Sequence, residues 1–180
     1  MVIKRIIIEA LPTLMLASSI TVIAGFFLNS ALSIGEVIGV LIITPAILGT
    51  GGDIGTSFGA RITTSLHSGL IEPRFRRFRL VFVNFIALFI CGLIVSVIIG
   101  FAAFSISELM GGNMGLVQFL ILSLGAGSIE YIIILFLSLC ISFISFRRGL
   151  DPDNLVAPLI TTISDLIGIS AIFLILSITT

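Results

Sequence analysis

Long apolar runs separated by short polar segments dominate the chain. Five such runs cover residues 6–28, 37–71, 80–106, 116–146 and 155–177. A helix that rises 1.5 Å per residue needs about 20 apolar residues to cross a bilayer, and every run reaches that length. The pattern therefore predicts an all-α membrane protein with five transmembrane helices.

The second run differs from the others in length and regularity. If it were wholly helical, segment 37–71 would extend about 50 Å, which exceeds the hydrocarbon core of a bilayer. Pro45 and the four glycines of segment 49–55 also interrupt its apolar pattern, and proline removes a backbone donor from a helix. We expect the second helix to be distorted or broken at this Pro/Gly-rich segment, and to tilt or extend beyond the bilayer.

Composition agrees with a membrane protein and excludes several other classes. The chain is 58% hydrophobic and 10% charged, whereas soluble domains carry about 25% charged residues. Five spans with short connections predict one transmembrane domain over residues 1–180, with no soluble nucleotide-binding or sensor domain. No nucleophile–base set and no phosphate-binding loop is present, so we predict neither an enzyme nor a nucleic-acid-binding protein.

The basic residues indicate an orientation. Of the nine basic residues, all except Arg61 lie in segments 4–5, 74–79 and 147–148. The alternate connections, which face the other side, carry none. The positive-inside rule then predicts an integral protein of the cell membrane with its N-terminus inside and its C-terminus outside.

Five charged residues fall inside the apolar runs: Glu9, Asp53, Arg61, Glu130 and Asp165. A charge at the bilayer centre costs roughly 2.5–3.5 kcal/mol on insertion scales and usually faces a partner or a water-filled path. Glu9 is close enough to the membrane surface to be a solvated helix end. Arg61 is expected to snorkel or to pair with an acid such as Glu9 or Glu130.

Asp165 and Asp53 are the strongest candidates for cation binding. Asp165 lies near mid-depth in the fifth run, where a short side chain cannot reach the surface. Asp53 lies among glycines whose carbonyl oxygens a broken helix would release. The glycine stripe itself is also explained by close helix packing. Glu130 is either a direct ligand or a group that supports the ligands.

Oxygen atoms dominate the candidate donors in these runs, and they suit hard cations. Mg²⁺ keeps several waters and uses only one or two carboxylates, whereas softer metals favour His or Cys. The predicted metal-binding set, with Mg²⁺ as the transported ion, is Asp165, Asp53, Gly52, Thr161 and Glu130.

Two segments resemble a known family. Segment 45–55, Pro-Ala-Ile-Leu-Gly-Thr-Gly-Gly-Asp-Ile-Gly, resembles the Pro...Leu-Gly-Thr-Gly-Gly-Asn-x-Gly segment in the second transmembrane helix of the MgtE magnesium channels. Segment 149–168 contains Gly-Leu-Asp-Pro, then Pro158, Ser164, Asp165 and Gly168. It resembles the Gly-x-Asp-Pro...Pro...Ser-Asp-x-x-Gly segment of that family's fifth helix. The shared five-span topology covers nearly the whole chain.

The resemblance implies a homodimer, or a heterodimer with a paralogue, that has one cation pore on its two-fold axis. Helices two and five would line this pore, and Asp165 would face a hydrated Mg²⁺. The family includes eukaryotic solute-carrier counterparts in which two such units are fused. This sequence departs from the family pattern at Asp53, where Asn is typical, and we expect no cytoplasmic N-terminal or CBS domain.

Three functions are compatible with the sequence. The leading hypothesis is a channel or transporter for divalent cations, Mg²⁺ first among them, with its pore at a dimer interface. An alternative is a proton- or sodium-coupled carrier in which Asp53, Glu130 and Asp165 titrate. A third is a non-transporting membrane subunit whose glycine stripe docks a partner.

Overall fold

The computed structural model describes residues 11–12, 14–23, 25, 37–71 and 78–179. The regular structure in these ranges is entirely helical: α1 (Leu14–Ile23), α2 (Val37–His67), α3 (Phe78–Leu109), α4 (Leu116–Arg147) and α5 (Pro152–Thr179). The predicted all-α architecture with five helices is confirmed. The predictions for Glu9 and for the basic residues at 4–5 and 74–77 concern positions outside the described residues.

Four of these helices, α2 to α5, are long and apolar enough to cross a membrane. Helix α5 begins at Pro152, directly after Asp151. Proline is favoured at the first helical position because no intrahelical partner exists for an N–H there. The connection between α3 and α4 turns at Gly111, whose φ of 79° favours glycine.

Of the two outcomes expected for the second helix, distortion or a break, the break does not occur. Helix α2 is continuous through Pro45 and through the glycines of segment 49–55, and it ends at His67 instead of reaching Ile71. Pro45 has no backbone N–H to donate, so the helix lacks one hydrogen bond at this position. Flanking contacts on α4 and α5, described below, hold the glycine-rich segment in helical form.

Helices α2 and α4 each contact the three other long helices, whereas among the described residues α3 and α5 do not contact each other. One buried apolar cluster joins α2, α3, α4 and α5 and includes Ile43, Phe119 and Ile172. A second cluster, which includes Phe58 and Leu135, lies nearer the end of the bundle that contains His67. The two clusters fix how α2 and α5 sit on α4.

One end of the bundle gathers the described basic residues. The ring of His67 packs edge-on against Phe146, with centroids 5.4 Å apart, and so joins the ends of α2 and α4. Arg79 opens α3, while Arg147 and Arg148 close α4 at this same end. We call it the basic end. That it faces the cytoplasm remains a prediction.

Candidate cation site

The inward face of α2 is a stripe of glycines at four-residue spacing. A Cβ at Gly55 would overlap Ile134 of α4 and Ile160 of α5, and a Cβ at Gly59 would overlap Val156 of α5. The Gly55 carbonyl also accepts a hydrogen bond from Ser138 Oγ of α4 at 2.7 Å. Close helix packing therefore accounts for these glycines, as the sequence indicated.

Glu130 of α4 lies at the point where α2, α4 and α5 meet. Ser164 Oγ of α5 donates a hydrogen bond to Glu130 Oε1 at 2.6 Å. A Cβ at Gly51 of α2 would overlap both of these side chains. The second carboxyl oxygen, Oε2, is buried and has no hydrogen-bond partner among the described residues.

The outward face of α2 has a different character. Every exposed residue from Pro45 to Thr64 is a proline, a small residue or a polar or charged one: Pro45, Ala46, Gly49, Asp53, Ser57, Ala60, Arg61 and Thr64. We call this set the α2 outer face. Asp53 belongs to it and not to the glycine packing stripe, because two residues along a helix correspond to a rotation of about 200°.

Helix α5 runs antiparallel to α2 and carries Thr161 and Asp165 one turn apart. Gly52 of α2 lies against Thr161, where a Cβ at Gly52 would be 3.3 Å from the threonine methyl group. Thr161 is exposed and Asp165 is half-buried. Four residues separate the two along α5, a rise of about 6 Å.

Two open grooves flank this part of α5. A groove of about 330 Å³ toward the basic end is lined by Thr56, Ser57, Ala60, Val156 and Ala157. A second groove of about 410 Å³ separates α5 from α1. It is lined by Leu14, Ala17, Ser18, Thr21, Pro158, Thr161 and Thr162. Hydroxyl groups thus contribute to both grooves, on either side of α5.

Because α2 is helical, its backbone carbonyl groups accept hydrogen bonds within the helix and are not free to bind a cation. The Gly52 carbonyl accepts the Thr56 hydroxyl at 2.9 Å, and the Asp53 carbonyl accepts the same hydroxyl at 3.1 Å. A helix in this region does not release the set of free carbonyl oxygens that a break would have offered. The side chains are left as the main oxygen donors.

The five predicted ligands fall into two groups. Asp53, Gly52 and Thr161 lie on or beside the α2 outer face, with Asp165 one turn further along α5, whereas Glu130 is enclosed between helices. Within the described ranges, no three His, Cys, Asp or Glu side chains come together as a metal-binding group. One copy of the described chain does not build a closed cage from these side chains.

Arg61 has a different partner from those suggested by the sequence. Its guanidinium donates to Asn84 Oδ1 of α3 at 3.3 Å, whereas Glu130 is bonded to Ser164 in the bundle interior. The suggested pairing of Arg61 with Glu130 is therefore wrong. Pairing with Glu9 lies outside the described residues.

Sequence reasoning assigned no role to Ser164, although this serine supplies the hydrogen bond to Glu130. Ser164 precedes Asp165 and belongs to the segment that resembles the family's fifth helix. Its signal was an uncharged polar residue within an apolar run, which is common in membrane helices. Only the packing of α5 on α4 distinguishes Ser164 from exposed serines such as Ser170.

Comparison with known proteins decides the family. The MgtE family model, described as a divalent cation transporter, matches residues 44–175. The chain belongs to the MgtE family. The matched range takes in nearly all of α2 to α5, including every described candidate ligand. The protein is therefore an integral membrane protein of a transporter family, as its four long apolar helices also indicate.

The chain is also similar, at 27–30% identity, to parts of two solute carrier proteins. The chain is 27% identical over 176 residues to solute carrier family 41 member 3 of Mus musculus, covering 89% of this chain and 36% of that protein. It is 30% identical over 174 residues to solute carrier family 41 member 2 of Mus musculus, covering 89% of this chain and 30% of that protein. The chain spans about a third of the length of these relatives. No solved structure matches it.

Proposed function

We propose that the protein conducts divalent cations, with Mg²⁺ as the physiological ion, along a path formed where two copies meet. The observation that carries this proposal is the α2 outer face, which exposes Asp53 among small and polar residues on a helix long enough to span the membrane. Lipid offers no partner for such a surface. A second copy of the chain and a water-filled path can both supply partners for these polar groups.

A two-fold axis supplies what one copy lacks. A two-fold axis would repeat each carboxylate of one protomer in its partner, so that Asp53 and Asp165 each become a pair. Mg²⁺ holds its inner waters tightly and is commonly bound through only one or two carboxylates. Asp165 is proposed as the principal ion-binding group, while Asp53 and the Thr161 hydroxyl complete the path, and Gly52 contributes by letting α2 pack against Thr161.

The test is metal flux into liposomes that contain only the purified chain. We expect Mg²⁺ entry driven by its own gradient, with no requirement for a proton or sodium gradient. Entry that depends on such a gradient would instead support a coupled carrier. A correctly folded chain that moves no divalent cation would contradict transport and favour a non-transporting subunit.

Assembly needs a separate measurement. We expect single-molecule counting in bilayers to find two chains in each transporting unit. Full transport by a monomer would contradict the proposed interface, although it would leave divalent cation transport itself intact.

A further inference from the structure

Glu130 is separated from the proposed ion path by the helices that form it. Its side chain is 0% exposed within one protomer, whereas the path follows an outer face. Its Oε1 atom is enclosed by Ser164 Oγ at 2.6 Å and by Gly168, at which a Cβ would lie 3.0 Å from the same oxygen. A hydrated cation does not fit between such close neighbours.

The Glu130 carboxyl group nevertheless contacts both ion-path helices at positions adjacent to proposed ligands. On α5 it contacts Ser164, which immediately precedes Asp165. On α2 it contacts Gly51, which immediately precedes Gly52 and lies two residues before Asp53. Because neighbouring residues of a helix move together, the position of this carboxyl group affects the ligands on both helices.

We propose that Glu130 is a positioning residue for cation transport, whose hydrogen bond to Ser164 fixes the rotation of α5 and thereby directs Asp165 and Thr161 toward the path. This inference rests on the proposed function. It gives Glu130 a role distinct from the ion-binding set. Gly51 and Gly168 are part of the same arrangement, because a side chain at either position would occupy space that the carboxyl group or its neighbours fill.

The unpartnered oxygen supports a role beyond packing. Glu130 Oε2 is buried with no hydrogen-bond partner among the described residues, and an unsatisfied buried polar atom lowers stability. An apolar side chain of similar volume would fill the same space without that cost. Stability of the fold therefore does not account for a carboxyl group here, whereas the defined direction of its bond to Ser164 does.

A geometric test uses reporter thiols in full-length chains from which Cys91 and Cys140 have been replaced by Ala. Asp165→Cys and, separately, Thr161→Cys report how a water-soluble thiol reagent reaches α5. Adding Ser164→Ala should change the modification rate at both positions by at least about fivefold, the effect of losing one buried hydrogen bond. Adding Ser170→Ala should not, because among the described residues the Ser170 hydroxyl bonds only to Leu166 O of its own helix.

A transport test then separates positioning from ion binding in the chain with native Asp165. Glu130→Gln keeps an oxygen that accepts from Ser164, so the half-saturating Mg²⁺ concentration should stay within about threefold of the parent value. Ser164→Ala and Glu130→Leu should each raise that concentration, and the double variant should be no worse than Glu130→Leu alone. A large loss of Mg²⁺ affinity in Glu130→Gln, with Ser164→Ala unaffected, would show that Glu130 binds the ion and would overturn the proposal.

The two tests also separate this inference from the proposed function. If no variant and no parent chain moves Mg²⁺, the proposed function fails. The modification rates of the reporter cysteines still test the positioning role, since their measurement requires no transport. Unchanged thiol rates in Ser164→Ala at both reporter positions would reject the positioning role even if Mg²⁺ transport is robust.

Discussion

Helices α2 and α3 are similar in length and both can cross a membrane, yet they expose opposite chemistry. The exposed side chains of α3 are mainly large and apolar, namely Phe82, Val83, Ile86, Ile90, Ile94, Ile98 and Phe101. Those of α2 between Pro45 and Thr64 are small, polar or charged. Lipid tails suit the first surface. The second requires protein or water, because uncompensated polar groups in hydrocarbon are costly.

The difference cannot be attributed to the fold of either helix, because both are continuous. It lies in which residues face away from α4. Helix α2 turns Gly51, Gly55 and Gly59 inward, where they permit close contact with α4 and α5, and turns Asp53 outward. The same segment therefore packs the protomer and supplies a polar outer surface. Each of the following substitutions probes one side of this contrast.

The largest effect is expected from Asp165→Asn. The substitution keeps the shape and removes the charge, and a unit charge pair about 4 Å apart contributes about 4 kcal/mol at an effective dielectric constant of 20. We expect Mg²⁺ flux at sub-saturating concentration to fall by roughly 100-fold or more, with dimer assembly retained. Flux into proteoliposomes, together with chain counting, measures both quantities.

The matched control is Glu108→Gln, which removes a carboxylate from an exposed position near the end of α3. Its flux should equal that of the parent chain. If Asp165→Asn transported normally, the principal ion site would have to move away from α5.

A steric substitution, Gly49→Leu, should give the next largest effect. No atom of the described protomer lies within 4 Å of a Cβ at Gly49, so the fold of one copy tolerates the larger side chain. If a second copy or a narrow path faces this position, overpacking should weaken dimerisation by about 1–3 kcal/mol. Dimerisation in bilayers, measured by fluorescence energy transfer, provides the test.

Ala87→Leu serves as the control, since Ala87 is exposed on α3 and the added methyl groups would face lipid. We expect no change in dimerisation for this variant. Equal behaviour of the two leucine variants would remove the distinction between the α2 outer face and the α3 surface.

A smaller effect is expected from Asp53→Asn. The family resemblance indicates that Asn is compatible with this position, and Asp53 is exposed on α2, away from the enclosed junction at Glu130. Transport should persist, with Mg²⁺ affinity changed by less than about tenfold and with altered preference between Mg²⁺ and Ca²⁺. Competition between the two ions in the flux assay measures that preference. If Asp53→Asn abolished Mg²⁺ transport while Asp165→Asn transported normally, Asp53 and not Asp165 would be the principal ion-binding residue.

The sequence was sufficient to predict the helices but not the conformation of the second one. Run lengths predicted α2 to α5 to within a few residues, because the hydrophobic thickness of a membrane constrains every span. Pro45 and the glycines predicted, on local propensity alone, that α2 would be distorted or broken. Close packing of Gly55 against Ile134 and Ile160 favours the helical form of that segment, and such contacts join residues far apart in the chain.

The candidate site divides in the same way. The cost of burying charge in a membrane singled out Asp53, Glu130 and Asp165 from the sequence. That cost does not distinguish a carboxylate on an outer face from one enclosed among helices. The difference between Asp53 and Glu130 depends on the rotation of α2 and α4, which is set by the packing of Gly51 against Ser164 and Glu130.

The smallest effect is expected on α3 itself, from Ile94→Ala. The Ile94 side chain is 57% exposed on the predicted lipid-facing surface, so truncation exchanges contacts with lipid for other contacts with lipid. We expect the free energy of unfolding in mixed micelles to change by no more than about 0.5 kcal/mol, and Mg²⁺ flux to stay at the parent level. Ile99→Ala, five residues further along α3 in the buried cluster with Phe119, should destabilise measurably. Its cost should fall below the about 2–5 kcal/mol of water-soluble cores, because transfer from lipid to protein contributes little. Destabilisation by Ile94→Ala equal to that of Ile99→Ala would mean that protein, not lipid, covers this surface of α3.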